Sequence, residues 1–144
     1  MKKNGFTLIE LLVSMGIIAV LSGMAVFNFN QARMRARDVS RKSDLSQMQK
    51  ALELFKNDNE GKYPTVAQMV GQAALNTDEA YSKVEYIDPK GKGVWYDYLY
   101  STTDQKTYTL SACLENKADT TRLQPSVACG GSTSAGVIYQ ITNP

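Results

Sequence analysis

Glu10 is the single charged side chain among residues 6–29, a 24-residue run that is otherwise apolar or neutral. An ionised carboxylate is costly in hydrocarbon, so an acid placed there is presumed to meet a cation or a hydrogen-bond donor. Thr7 and Ser14 lie three residues before it and four after it, on the same face of a helix, and either can supply a hydroxyl. Elsewhere the inventory of reactive groups is short. The 144-residue chain has no histidine, which removes the commonest general base and the commonest metal ligand and with them a hydrolytic triad or an ordinary zinc centre. Cys113 and Cys129 stand sixteen positions apart: inert thiols in a reducing compartment, a disulfide in an exported protein. A bridge closing such a loop contributes about 3 kcal/mol in the chain-entropy model. Asp88, Asp97 and Asp104 are oxygen donors near one another in sequence, but without EF-hand spacing. The reading is therefore no catalytic residue, no metal site and no cofactor, with calcium kept only as a minor option.

The elements that carry these residues follow from periodicity. As a helix, residues 6–29 would reach about 36 Å, enough to span a bilayer core and too long for an ordinary signal-peptide core. Past Phe29 the composition turns polar with no breaker before Gly61. Leu45, Met48, Leu52 and Phe55 recur at spacings of three, four and three, an amphipathic stripe, and Asp38 and Glu53 precede basic residues at helical spacing. One continuous helix over residues 6–57 is predicted, stopped by Gly61 and Pro64. A short helix fits residues 65–75. Strands fit 94–101, 106–113 and 136–142, with a hairpin turn at 102–105. The predicted fold class is α+β, a long N-terminal helix packed on a small antiparallel sheet.

Charge is nearly balanced, with net +2 over the whole chain and 14 basic against 14 acidic side chains from Phe6 onward. That balance argues against a dedicated nucleic-acid binder. The basic stretch 31–42, with Arg33, Arg35, Arg37, Arg41 and Lys42, has two readings. One is a groove for nucleic acid or anionic lipid. The other, favoured because no aromatic residues interleave, is a solvated collar pairing with Asp38, Asp44 or neighbouring subunits. The eight tyrosines and Trp95 could form an adhesive surface, but packing of a small sheet uses the same residues and is favoured.

The opening KKNG followed by FTLIELL resembles the cleavage signature of type IV prepilins and the pseudopilins of type II secretion: a short basic leader, a glycine junction, phenylalanine, and a glutamate fifth in the mature chain. Residues 52–65 and the DPxG at Asp88 are similar to the helix exit and a loop of the same proteins. The resemblance implies cleavage between Gly5 and Phe6 by a prepilin peptidase, N-methylation of Phe6, and assembly into a helical filament of identical subunits by the pilus machinery. Glu10, with Thr7 beside it, would meet the new amine of a neighbouring subunit. Family helices often carry a proline where Phe27 stands here, so no proline kink is carried over; Gly16 and Gly23 are the weak points of the helix instead, and Ala19-x-x-x-Gly23 reads equally as a small-residue packing face.

The organisation read from this is a leader at 1–5, a transmembrane and filament-core helix at 6–29, its amphipathic continuation at 30–58, and a β-rich domain at 59–144. The primary expectation is a structural subunit of a type IV pilus-like surface filament, made as a single-pass membrane precursor. A secretion pseudopilin is the nearest alternative and a non-polymerising anchored binding domain the next. Topology carries a tension. Five Lys and Arg residues follow the span and two precede it, which by charge alone would place the domain inside the cell, whereas the family arrangement places it outside.

Overall fold

The computed structural model describes residues 5–76, 81–91, 97–123, 129 and 136–143. Its first element, α1, is a helix at Leu8–Asp58, 51 residues long. The chain divides into two compact units, Met1–Met34 and Arg35–Pro144. In the first unit the described side chains from Phe6 to Ala25 are exposed all round, with Leu8 at 82%. This stretch is long and apolar enough to cross a membrane.

In the second unit the predicted stripe becomes the core. Leu45, Met48 and Leu52 are buried, joined by Ala51, and they form one cluster with Leu110 and Ala112 of the sheet and with Tyr108 just before it. Each fully buried leucine contributes about 1.5–3 kcal/mol relative to an exposed one. Phe55, the fourth residue of the stripe, is half-buried and meets Tyr81 edge to face at 5.3 Å. The helix ends as read: the Gly61 N–H donates to Lys56 O at 3.0 Å while Gly61 holds φ at 77°, a left-handed stop that glycine adopts without strain.

The sheet has three antiparallel strands in the order β1 (Leu99–Ser101), β2 (Thr109–Leu114) and β3 (Val137–Thr142). Leu99 pairs with Ser111, and Leu110 pairs with Ile141. The predicted strand at 94–101 shrinks to its last three residues among those described. Val94, Trp95 and Tyr96 lie outside them, and Tyr98, just before β1, donates its hydroxyl to Asp44 on α1 at 2.6 Å. The hairpin connection is longer than the four residues predicted. Asp104 Oδ1 accepts the N–H groups of Lys106 and Thr107, so local turn chemistry removes those residues from the strand. The expected helix at 65–75 is broken. A Thr65–Gln68 capping pair opens a turn, a 3₁₀ segment follows at Val70–Gln72 and is itself interrupted by left-handed φ at Gly71 and Gln72, and α2 (Ala73–Asn76) begins directly after.

The tyrosines pack as the sheet reading expects. Tyr63 and Tyr108 are buried with ring centroids 4.6 Å apart in an edge contact, and Tyr100 donates its hydroxyl to Pro64 O at 2.6 Å. Cys113 and Cys129 form a disulfide, with their Cα atoms 5.9 Å apart. Gly136, at the edge of this bridge, sits so close to Leu114 O and Cys113 Sγ that a Cβ has no room.

Candidate processing and assembly site

The N-terminal motif begins α1 by a specific device. Thr7 directly precedes the helix and Glu10 is its third residue, the T-x-x-E spacing of a capping box. The Thr7 N–H donates to Glu10 Oε2 at 2.9 Å and the Thr7 hydroxyl to the same oxygen at 2.7 Å, while the Glu10 N–H donates back to Thr7 Oγ1 at 3.3 Å. Two N–H groups that a helix start leaves unpaired are thereby satisfied within the chain, as a segment in lipid requires. The carboxylate at the positive end of the helix dipole is also favourably placed. Both bonds that the Glu10 carboxylate accepts fall on Oε2, which leaves Oε1 as a second acceptor without a hydrogen bond among the described residues. Ser14, the other candidate partner, turns away and donates to Leu11 O at 2.9 Å. Gly5 and Phe6 precede the cap outside the helix, with Phe6 86% exposed. Lys2 and Lys3 of the leader lie outside the described residues.

In the second unit the basic stretch is not a solvated collar throughout. Arg41 is fully buried. Its Nε and Nη2 grip Asp88 Oδ2 and Oδ1, and its Nη1 donates to Asp38 Oδ1 at 2.7 Å and Glu115 Oε1 at 2.9 Å. Arg37 makes a second fork on Glu115, with both distances 2.7 Å, and Lys90 adds a contact at 3.0 Å. Asp38 in turn accepts the N–H groups of Glu115 and Asn116. Lys42 pairs with Asp119 at 2.7 Å. The hub is balanced, with Arg37, Arg41 and Lys90 facing Asp38, Asp88 and Glu115, which is the condition under which buried charge is tolerated. Burial tends to raise the carboxyl pKa of Glu115, but its bonds to Arg37, Lys90 and Arg41 outweigh that and hold it down at about 2. Asp119 is likewise at about 2, desolvation being outweighed by Lys42 and Thr121. For Arg41, burial, which lowers its pKa, is overcome by Asp88, Glu115 and Asp38, so the guanidinium is more firmly charged than usual. Three of the five cations that weigh against an outward-facing domain are therefore matched by the carboxylates of that domain. Asp44, proposed as a collar partner, bonds Tyr98 instead.

The calcium candidates do not converge. Both oxygens of Asp88 are taken by Arg41, and Asp104 caps its own turn. Asp88 and Asp97 share a cavity of about 130 Å³, but among the described residues no three acidic or cysteine side chains are placed to hold an ion.

Residues 1–26 match the family profile of the prokaryotic N-terminal methylation motif. Over 122 residues the chain is 31% identical to type II secretion system core protein G of Vibrio cholerae serotype O1, covering 77% of this chain and 82% of that protein. The chain belongs to the pilin and pseudopilin family. The protein of the same name in Escherichia coli K12 is 37% identical over 67 residues, and that of Aeromonas hydrophila 33% over 67, each match spanning 46% of both chains. No solved structure matches the chain. Of the residues singled out in the sequence, Glu10 and Thr7 are brought together and Cys113 and Cys129 are bonded, whereas the ionic hub was not foreseen. Its one sequence signal was the Asp38–Arg41 spacing.

Proposed function

We propose that this chain is a pseudopilin: a single-pass membrane precursor cleaved between Gly5 and Phe6, N-methylated on Phe6, and polymerised through α1 into the filament of a type II-like secretion system. The observation that carries the choice is the similarity to the Vibrio cholerae core protein G, which runs for 122 residues, far past the 26 of the methylation motif. The motif alone suits a surface pilus equally well, so the longer match favours the secretion pseudopilus over the surface pilus first expected. In this reading the role of the chain is assembly. The apolar half of α1 exchanges lipid for the same half of neighbouring copies, and Glu10 Oε1 receives the Phe6 amine of another copy. Pairing removes two charges from an unfavourable environment at once and fixes the axial stagger. The bonded cysteines support a domain on the oxidising side of the membrane.

The test is the N-terminus of the protein from its native cells, read by intact mass and terminal-peptide mass spectrometry. N-methylated Phe6 is expected, and a chain still beginning at Met1 overturns the reading. Deletion of the gene is expected to block release of an extracellular protein and to leave surface adhesion and motility intact. The reverse outcome returns the assignment to a surface pilus.

A further inference from the structure

The C-terminal end of α1 opens onto a polar cavity of about 650 Å³ whose lining includes Phe55, Asp58, Glu60, Lys62, Gln68 and Gln105, two carboxylates against one ammonium. Its chemistry suits a cation. Asp58, the last residue of α1, lines it, and the negative end of a helix favours a cation nearby; the Phe55 carbonyl there already accepts from Asn59 Nδ2 at 2.8 Å, which leaves the two carboxylates as the acceptors. Asp58 has no ion pair among the described residues, and Glu60 meets only Lys62, at 3.4 Å with both side chains exposed. Planar amides and an aromatic ring beside two carboxylates favour a guanidinium over an ammonium.

One arginine of this chain is available to fill it. Arg33 lies over the Phe29 ring, Arg37 and Arg41 are in the ionic hub, and Arg122 donates to the Lys117 carbonyl. Among the described residues Arg35 alone of the five is exposed with no hydrogen bond, ion pair or ring contact. Arg35 and Asp58 are 23 residues apart on one helix, about 35 Å along its axis, so a copy cannot fill its own cavity.

We infer that the cavity at the end of α1 in one copy receives Arg35 of a second copy, with Asp58 and Glu60 as the acceptors. A surface at one end of an element that complements the other end of the same element is heterologous, and repeated it builds an open polymer rather than a closed dimer. The inference rests on the filament reading and adds to it a contact between the domains, separate from the N-terminal helices.

Full-length chains in native cells test it. Arg35→Glu and Asp58→Arg each lower sedimentable polymer by about tenfold or more, because like charges brought together in an interface repel. The double variant Arg35→Glu with Asp58→Arg restores polymer. Co-expressed chains carrying Arg35→Cys and Asp58→Cys form an oxidative cross-link between copies. The native cysteines, buried and already bonded, stay silent, and their protection from thiol reagents reports that each variant is folded. Polymer at the unmodified level from both single variants overturns the contact and leaves the filament reading standing, as does failure of both rescue and cross-link. If the unmodified chain yields no polymer, the filament reading fails and the contact fails with it.

Discussion

Arg41 and Asp88 meet fork to fork at 2.6 and 3.0 Å, both buried, across 47 positions of sequence. The pair pins the loop at 81–91 to α1, and Glu115 and Asp38 on the remaining guanidinium nitrogen pin the end of β2 to the same turn of helix. Removing one partner of such a hub leaves the others charged and desolvated, a heavier loss than the pair itself contributes. Arg41→Ala is therefore expected to destabilise the domain by about 3–5 kcal/mol. Arg41→Lys rescues only part of this, since an ammonium cannot span both oxygens of Asp88. Thermal unfolding of the full-length protein in detergent checks both, and a wild-type midpoint for Arg41→Ala contradicts the role assigned to the hub.

Acid should loosen the same hub. Glu115 is held at about 2 against a usual value of 4.5. A depressed carboxyl contributes stability that is present above its unfolded pKa and is lost as pH falls through the folded one. Stability is thus expected to hold down to pH 4.5 and to decline between there and about 2. Glu115→Gln flattens that slope and lowers stability at neutral pH by on the order of 2–3 kcal/mol. Chemical unfolding across this pH range measures the slope. An unchanged slope in the variant means other carboxylates govern acid unfolding.

At the N-terminus, Glu10→Leu keeps the span apolar and so is expected to insert normally while yielding little filament. Thr7→Val keeps the shape of the side chain but loses the hydroxyl, and a lost cap costs the helix start about 1 kcal/mol. Its filament yield is expected to fall less than that of Glu10→Leu. Comparing membrane-inserted precursor with sheared polymer separates the two steps. Normal filaments from Glu10→Leu would remove the assembly role of this carboxylate.

The Cys113–Cys129 bridge closes the loop that leaves the end of β2. Replacing both cysteines by serine is expected to cost about 3 kcal/mol. Because Gly136 packs directly on this corner, Gly136→Ala should lower the unfolding midpoint as well. Midpoints measured with and without reductant test the first expectation, and a reductant-insensitive midpoint refutes it.

Much of the fold was legible from local pattern. The stripe of Leu45, Met48 and Leu52 announced both the helix and the face it buries, and Gly61 announced its end. Where the reading erred, short-range chemistry outside the simple periodicities won. Asp104 captured two N–H groups that a strand at 106–113 would have used. Left-handed turns at Gly71 and Gln72 broke a helix that composition allowed.

The sequence by itself determined the N-terminal device, because a capping box and a cleavage signature are written within a few residues: Gly5, Phe6, Thr7 and Glu10 need no distant partner to be recognised. It also determined the long helix, whose apolar and amphipathic halves are periodic signals. Only the tertiary structure decided the fate of the basic stretch. Arg35 and Arg41 differ little in local sequence, yet one is exposed and the other fully buried, because Asp88 and Glu115 arrive from 47 and 74 residues away. Whether a charge is a surface feature or a structural tie depends on which carboxylates the fold brings to it, and that is a property of chain crossings rather than of neighbours in sequence.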